Sequence, residues 1–121
     1  MVKALFGTNI LIDFLRGVHA AREELGRYQL KAISLVTWME VLVGATPATE
    51  RGTREFLNGF ELVPIDQGIA ERAVALRKAH RVKLPDAIIW ASAQERAMLV
   101  VTRDVKGFPH GEPSIRMPYT I

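Results

Sequence analysis

The chain has 121 residues, room for one domain over 1–121 and too few for an enzyme with its site in a cleft between domains. Its 49% hydrophobic and 24% charged residues exclude a disordered polymer, and sixteen Lys and Arg against thirteen Asp and Glu leave +3, compatible with nucleic acid but no polybasic tail. The lack of cysteine excludes disulfides, thiolate zinc sites, iron–sulfur clusters and Cys nucleophiles, and makes a reducing cytoplasm the expected location. Asn9 and Asp13 interrupt the apolar start, and no run reaches bilayer length, so the start is read as folded protein with no membrane partner.

In chain order, Lys3–Phe6 reads as a strand, Gly7 as a turn, and Thr8 or Asn9 as the cap of a helix whose Ile10, Leu11, Phe14 and Leu15 form one apolar stripe. Gly17 ends that helix, and a more polar one covers Ala20–Arg27. A strand at Ala32–Val36 precedes Thr37-x-x-Glu40, which has capping-box spacing and predicts a helix start there. Pro47 and Gly52 punctuate a link into a short helix around Thr53–Leu57, followed by a strand at Glu61–Ile65. Asp66–Arg81 is the clearest helix, with Ile69, Ala73, Leu76 and His80 on one face. Leu84-Pro85-Asp86 opens another that runs to about Ala97, Met98–Thr102 is a strand, and Ser114–Met117 is an edge strand flanked by prolines.

Strands alternating with helices need crossover connections. The expected fold class is therefore α/β, a three-layer sandwich with a mostly parallel sheet of four to five strands flanked by helices. In such sheets ligands bind beyond the carboxyl ends of the strands. Asp104 follows one strand, Glu40 starts the helix after another, and Asp86 opens the helix that feeds the Asp104 strand, so all three acids can meet at one end. Carboxylates gathered there repel one another unless a cation neutralises them, and oxygen-only donors suit Mg²⁺ or Mn²⁺. Such an ion activates water for in-line attack at phosphorus, which points to phosphodiester hydrolysis. His19, His80 and His110 have no triad context, and the glycines spell neither a P-loop nor a dinucleotide fingerprint.

Each acid also has a structural role open to it: Glu40 closing a capping box, Asp86 complementing a helix dipole, Asp104 starting a turn. Three such coincidences at one sheet end are less probable than a shared site. Asp13 faces away from the stripe and is read as solvated at the rim. His80, Trp38 and Trp90 are read as packing residues, while Arg16, Arg103 and Lys106 could contact phosphates but are more often simply solvated.

Four segments together resemble the PIN-domain nucleases, in particular the small VapC-type toxins: Ala4–Asp13, Ile33–Thr37 through Glu40, Leu84–Ile89 and Val101–Asp104. The resemblance implies a parallel sheet flanked by helices, an acidic quartet binding Mg²⁺ or Mn²⁺, cleavage of RNA, a homodimer, and a cognate antitoxin in a toxin–antitoxin hetero-oligomer. By position, Glu40, Asp86 and Asp104 match three of the four acids, and Asn9 and Thr102 match polar residues of the site. Thr8 and Arg103 are expected to line it, and Ile10, Leu11, Phe14 and Leu15 to border the antitoxin groove.

Where the family pattern has its first aspartate, this chain has Gly7. A metal ligand is missing, so metal affinity and rate are expected to fall. Two origins stay open, a natural variant with weakened activity and a deliberate or selected change that lets a growth-inhibiting toxin be produced. The second is favoured because the rest of the motif is intact and glycine is unfavourable in an apolar strand. The alternative functions are a non-catalytic PIN-like module that binds RNA or antitoxin, and a two-component receiver domain. The receiver needs adjacent acids after the first strand, a phospho-accepting Asp after a middle strand and a Lys after the last, which Gly7, Ile65-Asp66 and Pro113–Pro118 supply poorly.

Overall fold

In a computed structural model that describes residues 1–109 and 111–121, five strands form one sheet: β1 (Lys3–Phe6), β2 (Leu30–Ser34), β3 (Glu61–Val63), β4 (Leu99–Val101) and β5 (Ile115–Arg116). Their order across the sheet is β3-β2-β1-β4-β5 and every pairing is parallel. Six helices accompany them: α1 (Thr8–Leu15), α2 (His19–Gly26), α3 (Leu35–Val43), α4 (Glu50–Leu57), α5 (Gln67–His80) and α6 (Leu84–Arg96). His110 lies outside the described residues. Among the described residues no helix is long and apolar enough to cross a membrane.

Alternation along the strands builds two cores. Leu5, Ala32 and Val100 point to one face, where Ile69 and Ala73 of α5 and Ala87, Trp90 and Ala91 of α6 cover them. Ala4, Phe6, Ile33 and Val101 point to the other, against Ile10 and Leu11 of α1, Ala21 and Leu25 of α2, Val41 of α3 and Leu57 of α4. A strand buried on both faces reads as a continuous apolar run, which is why Ala4-Leu5-Phe6 lacks polar alternation. Each large side chain so buried contributes roughly 1.5–3 kcal/mol.

Local chemistry sets the helix ends. Gly17 has φ +82, a left-handed conformation that glycine adopts without steric cost, and turns the chain out of α1. Asp66 caps α5, its Oδ1 accepting the Ile69 amide at 2.8 Å. The capping box expected at Thr37 is not formed. Ser34 is the cap instead, accepting the Val36 amide at 3.2 Å, so α3 begins at Leu35, directly off the strand. Thr37 is buried inside the first turn, and Glu40 lies in the second.

The connections from β1 run outward through β2 to β3, and the chain then returns to the other side of β1 to form β4. The strand order therefore reverses between β1 and β4, and a crevice opens at their carboxyl ends, the position where ligands bind in open α/β sheets. Gly7 and Thr102 stand at the two lips of it, joined by the Gly7 amide donating to the Val101 carbonyl at 2.8 Å.

Candidate active site

A cavity of about 490 Å³ occupies this crevice, lined by Gly7, Thr8, Asn9, Glu40, Asp86, Thr102 and Asp104, with Ile12, Val43, Pro85, Ile89 and Phe108 as apolar walls and Lys83 among its lining residues. Sequence reasoning did not single out Ile12, Lys83 or Phe108. Lys83 is the N-cap residue of α6, and Phe108 follows the turn after β4.

Asp104 is oriented by its own turn. The amides of Lys106 and Gly107 both donate to Oδ1, at 3.1 and 3.0 Å, while the Asp104 amide donates to Thr102 Oγ1 at 3.1 Å. Oδ2 is left to face Asp86. A carbon placed where a Gly107 side chain would begin sits 2.5 Å from Asp104 Oδ2 and 2.6 Å from Asp86 Oδ2, so both oxygens crowd the same side of Gly107. Burial, then the charge of Asp104, then that of Glu40, push the Asp86 carboxyl up to about 6, with Lys83 pulling the other way. Glu40 is exposed at the rim, where Thr8 Oγ1 donates to its Oε1 at 2.7 Å and lies 3.1 Å from buried Thr37 Oγ1.

Among the described residues no group of three acidic or imidazole side chains closes on a single point as a finished metal site. The donors do fit a hard divalent cation as an incomplete cage: two neighbouring carboxylates, a third close enough to act through its charge, and no nitrogen or sulfur ligand. At Gly7 the backbone is extended, φ −72 and ψ 157, so an L side chain is conformationally allowed. Its Cβ would approach Thr102 Oγ1 at 3.2 Å and Thr102 Cβ at 3.3 Å, which requires Thr102 to yield by a few tenths of an ångström.

Several sequence expectations are overturned here. Asp13 is not solvated: it is 2% exposed, accepts both Nε and Nη2 of Arg103, and receives the Tyr119 hydroxyl at 2.8 Å. Arg103 is thereby turned toward α1 and is not among the residues that line the cavity, because a buried carboxylate captures it. Ile10 and Leu11 are fully buried against the sheet and cannot border a groove. Phe14 stacks on Phe56 at 4.8 Å, and of the four stripe residues only Leu15 is exposed, at 44%. Trp90 is buried in the core, with the exposed His80 ring 4.9 Å away, and Trp38 is half-buried beneath Arg54.

The comparisons agree with this architecture. The family model described as "PIN domain" matches residues 4–110. The chain belongs to the PIN-domain family. This PIN domain is 32% identical, over 97% of its length and 93% of the relative's, to "Ribonuclease VapC10" of Mycobacterium tuberculosis. A solved toxin–antitoxin complex from Klebsiella pneumoniae contains a chain that is 48% identical, with a TM-score of 0.93, covering 98% of this PIN domain and 100% of that chain. The DNA-bound VapBC structure from Salmonella typhimurium is similar at 26% identity and a TM-score of 0.74, with 96% of each chain covered.

Proposed function

We propose that this PIN domain is a metal-dependent endoribonuclease of the VapC type, a cytoplasmic toxin neutralised by a cognate antitoxin and weakened here by Gly7. The observation that carries it is the gathering of Asp86, Asp104 and Glu40 around one cavity at the sheet's topological switch, close enough that the charges of Asp104 and Glu40 raise the Asp86 carboxyl, in a chain similar to a ribonuclease.

Asp86 and Asp104 would hold Mg²⁺ or Mn²⁺, with Glu40 completing the charge. When bound, such an ion lowers the pKa of a water and stabilises the charge that develops in in-line displacement at phosphorus. The chain's own groups do the rest. The Lys106 and Gly107 amides hold Asp104, and the Thr8 hydroxyl donates to Glu40, which would take a proton from the attacking water. Asn9 and Thr102 would offer polar contacts to the scissile phosphate, Lys83 a positive charge, and Ile12 and Phe108 apolar walls.

Ile12 also lines a second groove of about 480 Å³ with Leu15, Arg16 and Val41. This is the route by which an antitoxin segment would reach the acids and present an Arg to them. The working assembly is proposed as a homodimer within a toxin–antitoxin hetero-oligomer.

The test is digestion of end-labelled RNA by the given chain and by Gly7→Asp, with Mn²⁺ and with chelator. Metal-dependent cleavage that rises by orders of magnitude in Gly7→Asp is the expected result, since groups that organise a reacting metal contribute several kcal/mol. Equal rates would remove Gly7 from the site. RNA retention without cleavage by either form would replace the nuclease by a non-catalytic binding module.

A further inference from the structure

Two buried carboxylates on the α1–α2 layer are each gripped by a forked arginine and a tyrosine hydroxyl. Asp13 takes Arg103 and Tyr119, and Glu24, 3% exposed, takes Arg116 and Tyr28. The two differ in what their arginines carry. Arg116 is a residue of β5, already placed by the sheet ladder. Arg103 lies beyond the end of β4, between Thr102 and Asp104, where among the described residues the backbone bonds of 102–107 are Thr102 N–H to the Arg116 carbonyl and Gly107 N–H to the Asp104 carbonyl.

The geometry points to Asp13 and Tyr119 as positioning residues that set Asp104 through Arg103. The inference rests on Asp104 being a cation-binding group of the proposed nuclease. The bonds of the Asp104, Lys106 and Gly107 amides fix the shape of this turn from within, and the Arg103 fork ties it to α1. That fork resists displacement of the turn, because both of its N–H bonds are directional and the buried Asp13 cannot exchange them for water. Buried ion pairs add little net stability over apolar side chains of similar size, so the contribution of this one is registry. α1 thus acts as a ruler between the acids: Thr8 in its first turn holds Glu40, and Asp13 in its last turn holds the Asp104 loop.

The test compares Asp13→Asn and Tyr119→Phe with Glu24→Gln, a similarly buried carboxylate whose arginine meets the acid loop only through its own backbone carbonyl on Thr102. Two readouts are taken, the backbone amide resonances of Asp104, Lys106 and Gly107, and Mn²⁺ affinity, each in the given chain and with Gly7→Asp. Asp13→Asn and Tyr119→Phe are expected to shift or broaden those three amides and to weaken Mn²⁺ binding by about tenfold or more, as loss of a group that orients a metal ligand does. Glu24→Gln is expected to lower the melting temperature and leave both readouts unmoved. Unchanged amides in Tyr119→Phe and in Asp13→Asn would overturn the inference, as would an equal disturbance by Glu24→Gln, and Tyr119→Phe decides alone if Asp13→Asn does not fold. If the amides respond while no form binds Mn²⁺, the positioning stands and the proposed metal site falls.

Discussion

At Gly107 the absence of a side chain is what lets two carboxylates meet. Any Cβ there would stand within 2.6 Å of both Asp86 Oδ2 and Asp104 Oδ2, while the Gly107 amide itself donates to Asp104 Oδ1. Gly107→Ala is therefore expected to push the carboxylates apart and weaken Mn²⁺ binding by about tenfold or more, measured by titration calorimetry. Asp86 shows the same crowding as charge. Its folded value of about 6 lies above the ordinary 3.8, so the folded protein binds more protons in that window and this group's contribution to stability falls as pH rises through it. Asp86→Asn should raise the melting temperature of the metal-free protein at pH 7.5 and leave it nearly unchanged at pH 4. An equal gain at both would show that Asp86 is not held among like charges. The acids themselves were legible in the sequence, because each follows a strand or opens a helix. Gly107 was not, since Asp104-x-x-Gly107 reads as an ordinary turn and only the proximity of Asp86, distant in sequence, gives the glycine its role.

At the scale of elements, α3 illustrates how local signals compete. Thr37-x-x-Glu40 has capping-box spacing, yet Ser34 caps the helix three residues earlier because β2 ends there and the chain enters the helix without a loop. The shift moves Thr37 into the buried layer and turns Glu40 toward Thr8. Asp13 and Glu24 tie α1 and α2 to the C-terminal segment in a way that periodicity cannot reveal, since a polar residue among apolar ones reads as the solvent face. Burial alone would raise both carboxyls, but hydrogen bonds from Arg103 and Tyr119 to the first, and from Arg116 and Tyr28 to the second, with the nearby arginine charges, hold them below 3.8 and 4.5. Their stabilisation is present above those ordinary values and is lost as pH falls through the lower folded values, which gives the protein a steep acid limb. Arg116→Ala leaves the buried Glu24 charge with only the Tyr28 hydroxyl and the exposed Arg27, and should cost about 3 kcal/mol in urea unfolding at pH 7. A loss under about 1 kcal/mol, the range of a surface pair, would contradict the burial of Glu24.

For the whole molecule, the parallel sheet is what converts a linear order of residues into one acidic crevice. All five carboxyl ends face the same edge, and the reversal of strand order beside β1 opens that edge between Gly7 and Thr102. Ligand binding there reports on global stability, because a cation that binds only the folded state raises the unfolding free energy by mass action, about 2.7 kcal/mol at a hundredfold excess over its dissociation constant. Thermal melts should therefore place metal-free Gly7→Asp below the given chain, since a further like charge outweighs the few tenths of a kcal/mol that an aspartate cap adds over glycine to α1. Mn²⁺ should stabilise Gly7→Asp more than the given chain, and chelator should reverse both gains. Indifference to Mn²⁺ in both forms would sink the carboxylate site.

The sequence by itself determined the alternation of strands and helices, the parallel sheet this requires and the edge at which Glu40, Asp86 and Asp104 gather, because periodicity, turn residues and crossover geometry are local or topological rules. Tertiary structure alone decided which polar groups are buried and what each one meets: Asp13 with Arg103, Thr8 with Glu40, Gly107 beneath two carboxylates. Those outcomes depend on side chains up to 106 positions apart packing at interior density, where burial makes an unpaired charge costly and so dictates its partner.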